Sequence, residues 1–164
     1  MFFEVSKSKK MKQLTDQEIL HLAASYSSLT ERCIYDVRKK INSTGASSET
    51  TERIIAHLLK EKFIDETRYC RSFVNDKFRF NRWGRIKIIY ELRGKKIPET
   101  IINEAVMAID EEEYASVLFT LLKDKKRSFK GKTEQDIFAK LYRFALSRGF
   151  ESDLTIMQLK TINN

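Results

Sequence analysis

"ELRGKKIPETIINEAV", residues 91–106, decides how the chain is built. A helical pattern runs out at Lys95, Pro98 (the only proline) follows, and Ile101, Ile102, Ala105 and Val106 open a new amphipathic stripe. The same arrangement occurs twice more, as "KINSTGASSETTERII" at 40–55 and "FALSRGFESDLTIMQL" at 144–159. Aligning them puts Gly45, Lys96 and Gly149 in one column and Ala46, Ile97 and Phe150 in the next. Nine columns after these stand Ile55, Val106 and Leu159. Four and eight columns before the first stand Ile41, Leu92, Ala145 and then Val37, Ile88, Leu141. Self-similarity at about fifty residues marks tandem structural units.

Outward from these passages the apolar spacing stays helical. "TERIIAHLLKEKF" places Ile54, Ile55, Leu58 and Leu59 on one stripe, and "DIFAKLYRFAL" does so with Ile137, Phe138, Leu141, Tyr142 and Ala145. No run of alternating apolar residues is bounded by turn signals, so the fold class is all-α. Each unit reads as three helices. These are Asp16–Tyr26, Glu31–Ser43 and Ser48–Lys62; Glu66–Asn81, Gly84–Lys95 and Glu99–Asp110; Glu112–Lys126, Thr133–Ser147 and Ser152–Thr161. A basic arm, 1–14, precedes helical repeats 15–64, 65–110 and 111–164. A unit of this size buries little alone, so the three are expected to stack into one elongated, monomeric body.

The bulk numbers fit one ordinary domain's worth of chain: 164 residues, 41% apolar and 33% charged. A net charge of +8 favours a polyanionic partner, nucleic acid or an acidic protein surface. No apolar run has the length of a membrane span, and the start lacks the apolar core of a signal peptide, so the expected location is cytoplasmic. Cys33 and Cys70 are far apart with no ligand spacing and read as free thiols.

Chemistry-bearing motifs are sparse. His21 and His57 sit inside helical patterns without Cys or His partners at ligand spacing, and read as surface or boundary residues. Gly84 and Gly94 are isolated, so no phosphate-cradling loop is present. The acidic run Asp110–Glu113 joins two helices and sets carboxylates at a helix N-terminus, where the dipole favours them. No enzyme activity, cofactor or metal is expected.

Charge is the informative feature. "RFNRWGRIKIIYELRGKKI", residues 79–97, carries Arg79, Arg82, Arg85, Lys87, Arg93, Lys95 and Lys96 against the single carboxylate Glu91. A second basic segment, Lys123–Lys132, includes Lys125, Lys126 and Arg127, and Lys7, Lys9, Lys10 and Lys12 make a third in the arm. Arg79, Arg82, Arg85, Lys87, Arg93, Lys95 and Lys96, with Lys125, Lys126 and Arg127, are the candidate partner- and DNA-binding set. On a helix from Gly84 to Lys95, Ile88, Ile89 and Leu92 form the packed stripe. Ile86 and Tyr90 form a second strip, read as core between neighbouring repeats. Arg82, Lys87, Arg93 and Lys95 are too costly to bury unpaired and should reach solvent or a partner.

"KFIDETRYCRSFVNDKF" at 62–78 resembles the signature of the RecX family of bacterial recombination regulators, through Phe63, Ile64, Asp65, Glu66, Arg68 and Tyr69, with Phe73 and Val74 in phase. The match continues at Gly84, Lys87-Ile88, Glu91-Leu92 and Lys95-Lys96-Ile97, and again from Leu141 to Leu154 with Arg148-Gly149-Phe150. It covers roughly Ala23 to Leu159 and departs at Ala46, Cys70 and Lys96, the last in place of glycine. Physically, Asp65 suits a helix N-cap, with Ile64 and Tyr69 at the positions of a hydrophobic staple. The resemblance implies three tandem three-helix repeats. It also implies a non-enzymatic regulator, without cofactor, that lodges in the groove of the RecA recombinase filament on DNA and restrains its growth and activity. Weak, sequence-independent binding to single-stranded DNA follows from the clustered Lys and Arg. The alternative is a helical DNA-binding protein acting alone, like a transcription factor. The basic helices here have more Lys and apolar residues than a base-reading helix would.

Overall fold

In a computed structural model, residues 13–130 and 132–163 are described, and all their regular structure is α-helix. The helices are α1 (Asp16–Leu29), α2 (Ile34–Asn42), α3 (Ser48–Lys60), α4 (Glu66–Arg79), α5 (Arg85–Gly94), α6 (Glu99–Met107), α7 (Glu111–Lys126), α8 (Glu134–Ser147) and α9 (Ser152–Asn163). They form the three tandem three-helix repeats. The chain divides into two compact units, Met1–Ile64 and Asp65–Asn164, so repeats two and three share one unit. The arm lysines 7, 9, 10 and 12 lie outside the described residues.

Local chemistry sets most helix starts. Thr15 and Glu18 form a reciprocal capping box on α1, and Ser47, Asp65, Asp110 and Thr133 each accept from an amide three residues on. Asp65 takes the Arg68 N–H at 2.9 Å and Asp110 the Glu113 N–H at 2.8 Å, as their sequence context predicts. Several boundaries differ from the sequence reading by one or two residues and three by three residues: the end of α1, the start of α2, and the end of α6, which stops at Met107 and not Asp110. Helix α1 runs on to Leu29, with the Ser27 and Ser28 hydroxyls bonded back to its own carbonyls. Helix α2 starts at Ile34 because Thr30 and Cys33 are both extended and leave Glu31 and Arg32 in the link.

The turn columns are real backbone features. Gly45, Lys96 and Gly149 have φ of 80°, 58° and 89°, the same left-handed turn in each repeat. The flanking columns are core: Ile41, Leu92 and Ala145, and Val37, Ile88 and Leu141, are at most 1% exposed. In the first unit Ile19, Ala23, Val37, Ile41, Ile54, Ile55, Leu58 and Ile64 form one cluster. Both cysteines are buried thiols outside any disulfide.

In the second unit the repeats are joined at α5. Tyr114 is fully buried, with ring centroids 5.6 Å from Phe78 and 5.2 Å from Phe150. Its hydroxyl accepts from the Arg85 amide at 2.9 Å and donates to a Glu151 carboxylate oxygen at 2.7 Å. The Gly84 and Ile86 amides donate to the carbonyls of Arg148 and Gly149 at 2.8 and 3.0 Å. Thus three amides at the start of α5, normally orphaned at a helix N-terminus, find partners in the third repeat. The approach leaves no room for side chains. A Cβ on Gly84 would overlap the Gly149 backbone, and one on Gly149 would overlap Lys87.

Candidate functional site

The basic stretch 79–97 spans the end of α4, the loop to α5, and α5 itself, all in the second unit. The structure assigns its arginines and lysines different tasks. Arg79 pairs with Glu113 at 3.4 Å, Arg82 with Asp124 at 3.9 Å, and Arg93 with both oxygens of Glu99 at 2.5 and 3.0 Å. Arg85 lies over the Tyr114 ring at 4.0 Å, reaches Glu111 at 2.7 Å and Glu151 at 4.0 Å, and its side chain is only 17% exposed. Every one of these carboxylates lies outside the stretch. The charge excess in the sequence is therefore largely balanced in three dimensions, much of it by the acidic run at 110–113.

That refines two expectations. Arg85 is a packing and capping residue rather than an exposed contact, because its guanidinium is held between Tyr114 and two carboxylates. Arg82 and Arg93 do reach solvent, with side chains 45% and 60% exposed, but they are paired within the unit. Exposed pairs contribute little stability, so these guanidiniums stay accessible to a stronger anion. The bond from Arg93 holds the Glu99 carboxyl below its usual range and raises the Arg93 guanidinium.

A third expectation also changes. Ile86 and Tyr90, read as core, are 56% and 74% exposed. The turn at 148–150 meets α5 at its first turn, on Gly84 and Lys87, and leaves the Ile86–Tyr90 strip uncovered.

The lysines behave differently from the arginines. Lys87 holds its ammonium 4.5 Å from the ring centroid of Trp83, and Lys77, from α4, holds its own 5.0 Å from the same ring. Among the described residues neither makes an ion pair, nor does Lys96. Lys77 and Trp83 were missing from the sequence-predicted set. Their meeting depends on the loop 80–84, where Arg82 is left-handed (φ 52°) and the Trp83 amide donates to the Lys77 carbonyl at 3.0 Å. No periodicity encodes that fold-back.

The second basic segment touches the first. Asp124, 3.9 Å from Arg82, also takes Arg127 at 3.4 Å, so one carboxylate bridges the two clusters. Lys125 lies 5.7 Å from Phe129 and 5.2 Å from Phe144, while Lys126 donates to Asn163 Oδ1 at 2.9 Å. Groups of three or more potential metal ligands do not occur among the described residues. No helix there is long and apolar enough to cross a membrane.

Comparison with known proteins identifies the family. A family model described as RecX, second three-helix domain, matches residues 65–106, which span α4, α5 and all but the last residue of α6. The Regulatory protein RecX of Clostridium tetani is 37% identical over 124 residues, 74% of this chain and 55% of that protein. The chain spans about half the length of that and other curated relatives. The Regulatory protein RecX of Prosthecochloris aestuarii is 30% identical over 142 residues, 87% of this chain and 91% of that protein. The crystal structure of RecX from Lactobacillus salivarius shares the fold, with a TM-score of 0.82 at 19% identity over 90% of this chain and 96% of that one. The chain belongs to the RecX family of regulatory proteins.

Proposed function

We propose that this chain regulates recombination and repair by binding the RecA recombinase filament on DNA and restraining its growth and activity. The observation that carries the reading is where the family's second three-helix domain falls. It is α4–α6, which carries the basic stretch 79–97 and, among the described residues, Lys77, Lys87 and Lys96 without ion pairs. A filament on DNA offers phosphate and acidic protein side by side, and both attract such a face. Arg79, Arg82 and Arg93 can add to it as secondary contacts, because each is held by an exposed carboxylate that a phosphate can displace.

The reading needs no catalytic group or cofactor in the chain. It is tested by adding the protein to recombinase, single-stranded DNA and ATP, and following ATP hydrolysis and filament length. The expected result is inhibition at sub-stoichiometric to stoichiometric protein, with shorter filaments. Unchanged hydrolysis and length, together with tight binding to one duplex sequence, would favour the stand-alone DNA-binding reading instead.

A further inference from the structure

We propose that the outer face of α5, with the loop before it, is a single-stranded DNA site. In it, Lys77 and Lys87 take phosphates while Tyr90 and Phe80 stack on bases. The inference deepens the reading above and rests on it for the choice of DNA.

Four observations converge. First, Lys77 and Lys87 are the lysines on this surface that converge on one ring and lack a carboxylate partner among the described residues. An ammonium already compensated by a carboxylate gains less from a phosphate, so these two are the better anion contacts. Second, Trp83 organises them. Contact with its π face restrains two flexible lysines that come from different helices. Third, aromatics on these elements are uncovered: Tyr90 on α5 is 74% exposed, and Phe80, three residues after Lys77 at the end of α4, is 79% exposed. Tyr90 stands three residues from Lys87 on the same helix and four from exposed Ile86, so the three adjoin. Fourth, the backbone beneath is fixed, because the amides at the start of α5 are held by the third repeat.

Exposed aromatic rings beside cations fit unpaired bases better than duplex. Stacking needs a free base face, and each base in a duplex has both faces occupied. An acidic protein segment would use the lysines but leave Tyr90 and Phe80 without a matching group. The face carries no hydrogen-bonding set arranged to read base edges, so recognition is expected to be independent of sequence.

Trp83 is the only tryptophan in the chain, so its fluorescence reports this site without labelling. Titration with a thymidine oligonucleotide of about fifteen residues, at low salt and without recombinase, should change Trp83 emission saturably. Tyr90→Ala should weaken binding, read by anisotropy of a labelled oligonucleotide, by roughly ten-fold while leaving the melting curve unchanged. The double variant Lys77→Gln, Lys87→Gln should lower the log–log salt slope by about 1.4, from ~0.7 per phosphate contact on a single strand. The proposal is overturned if emission does not respond, or if Tyr90→Ala binds as well as the parent. It is also overturned if a hairpin duplex or a uridine ribo-oligonucleotide competes as well as thymidine DNA, since neither the free base faces nor the choice of DNA would then matter. Because recombinase is absent, failure here leaves filament inhibition intact as a separate question. Loss of inhibition with normal oligonucleotide binding would instead count against the filament reading alone.

Discussion

Lys96 occupies a left-handed turn, φ 58°, at which the other two repeats carry glycine. A side chain there costs roughly 1–2 kcal/mol, and glycine regains most of it less its own entropic cost. Lys96→Gly should therefore raise stability by about 1 kcal/mol in urea unfolding, and a decrease would show that the lysine side chain contributes packing. Gly84→Ala should do the opposite. Its methyl would overlap the Gly149 backbone and push apart the amide bonds made there, for a loss of about 3 kcal/mol by the same assay. Cys70 makes a pH prediction. Burial, and then the nearby Glu66 carboxylate, push its thiol from 9.0 up to about 11. The unfolded thiol ionises first, so this stabilisation is complete below about pH 9 and is lost as pH rises through 11. The variant Cys70→Ala should show a shallower loss of stability between pH 8.5 and 10.5 than the parent; identical slopes would contradict the shift. At this scale the sequence was legible wherever chemistry was local. Asp65 and Asp110 cap because an acceptor precedes free amides, and the Gly45–Lys96–Gly149 column marks one backbone geometry. The partners of Arg79, Arg82 and Arg85 were not legible, since Glu113, Asp124 and Glu111 are 26 to 42 residues away in sequence.

Helix α5 shows what elements add. Its N-terminus is satisfied by the turn between α8 and α9 and by Tyr114, so the basic face rests on a junction of two repeats rather than on one helix. Removing the Tyr114 hydroxyl leaves the Arg85 amide and a Glu151 oxygen without this partner in a partly buried place. Tyr114→Phe should cost about 1–3 kcal/mol in thermal or urea unfolding, and a neutral result would mean that water replaces the hydroxyl. The junction was partly visible beforehand, because Gly84 and Arg148-Gly149-Phe150 both belong to the family resemblance. That they meet each other was not. The misplacement of Ile86 and Tyr90 has the same origin. Helical periodicity separates the two faces of α5 but does not say which neighbour arrives where. Contact with the third repeat falls on the first turn and leaves the strip bare.

Over the whole molecule, periodicity and the repeated columns were enough for the fold class. The column spacing depends only on each repeat burying the same positions. The grouping of repeats two and three into one compact unit came from long-range contacts that leave no trace in a repeat pattern. Function divides the same way. Net charge pointed to polyanions, while the useful distinction, paired arginines against Lys77, Lys87 and Lys96, which make no ion pair among the described residues, needed coordinates. Reversing Arg82, Lys87, Arg93 and Lys95 together would confuse these roles, because Glu at 82 or 93 would face Asp124 or Glu99. Neutralising those lysines separates them. The decisive measurement is recombinase ATP hydrolysis on single-stranded DNA, titrated with parent protein and with the variant Lys77→Gln, Lys87→Gln, Lys96→Gln. Lys96 is exposed and Lys77 and Lys87 are half-buried, so the variant should remain folded, with a modest loss of stability of about 0.5 kcal/mol at each site. It should also need at least ten-fold more protein for half inhibition, having lost about three charge contacts to phosphate or acidic protein. Inhibition at the parent's concentrations by a normally folded variant would contradict the claim that this face engages the filament.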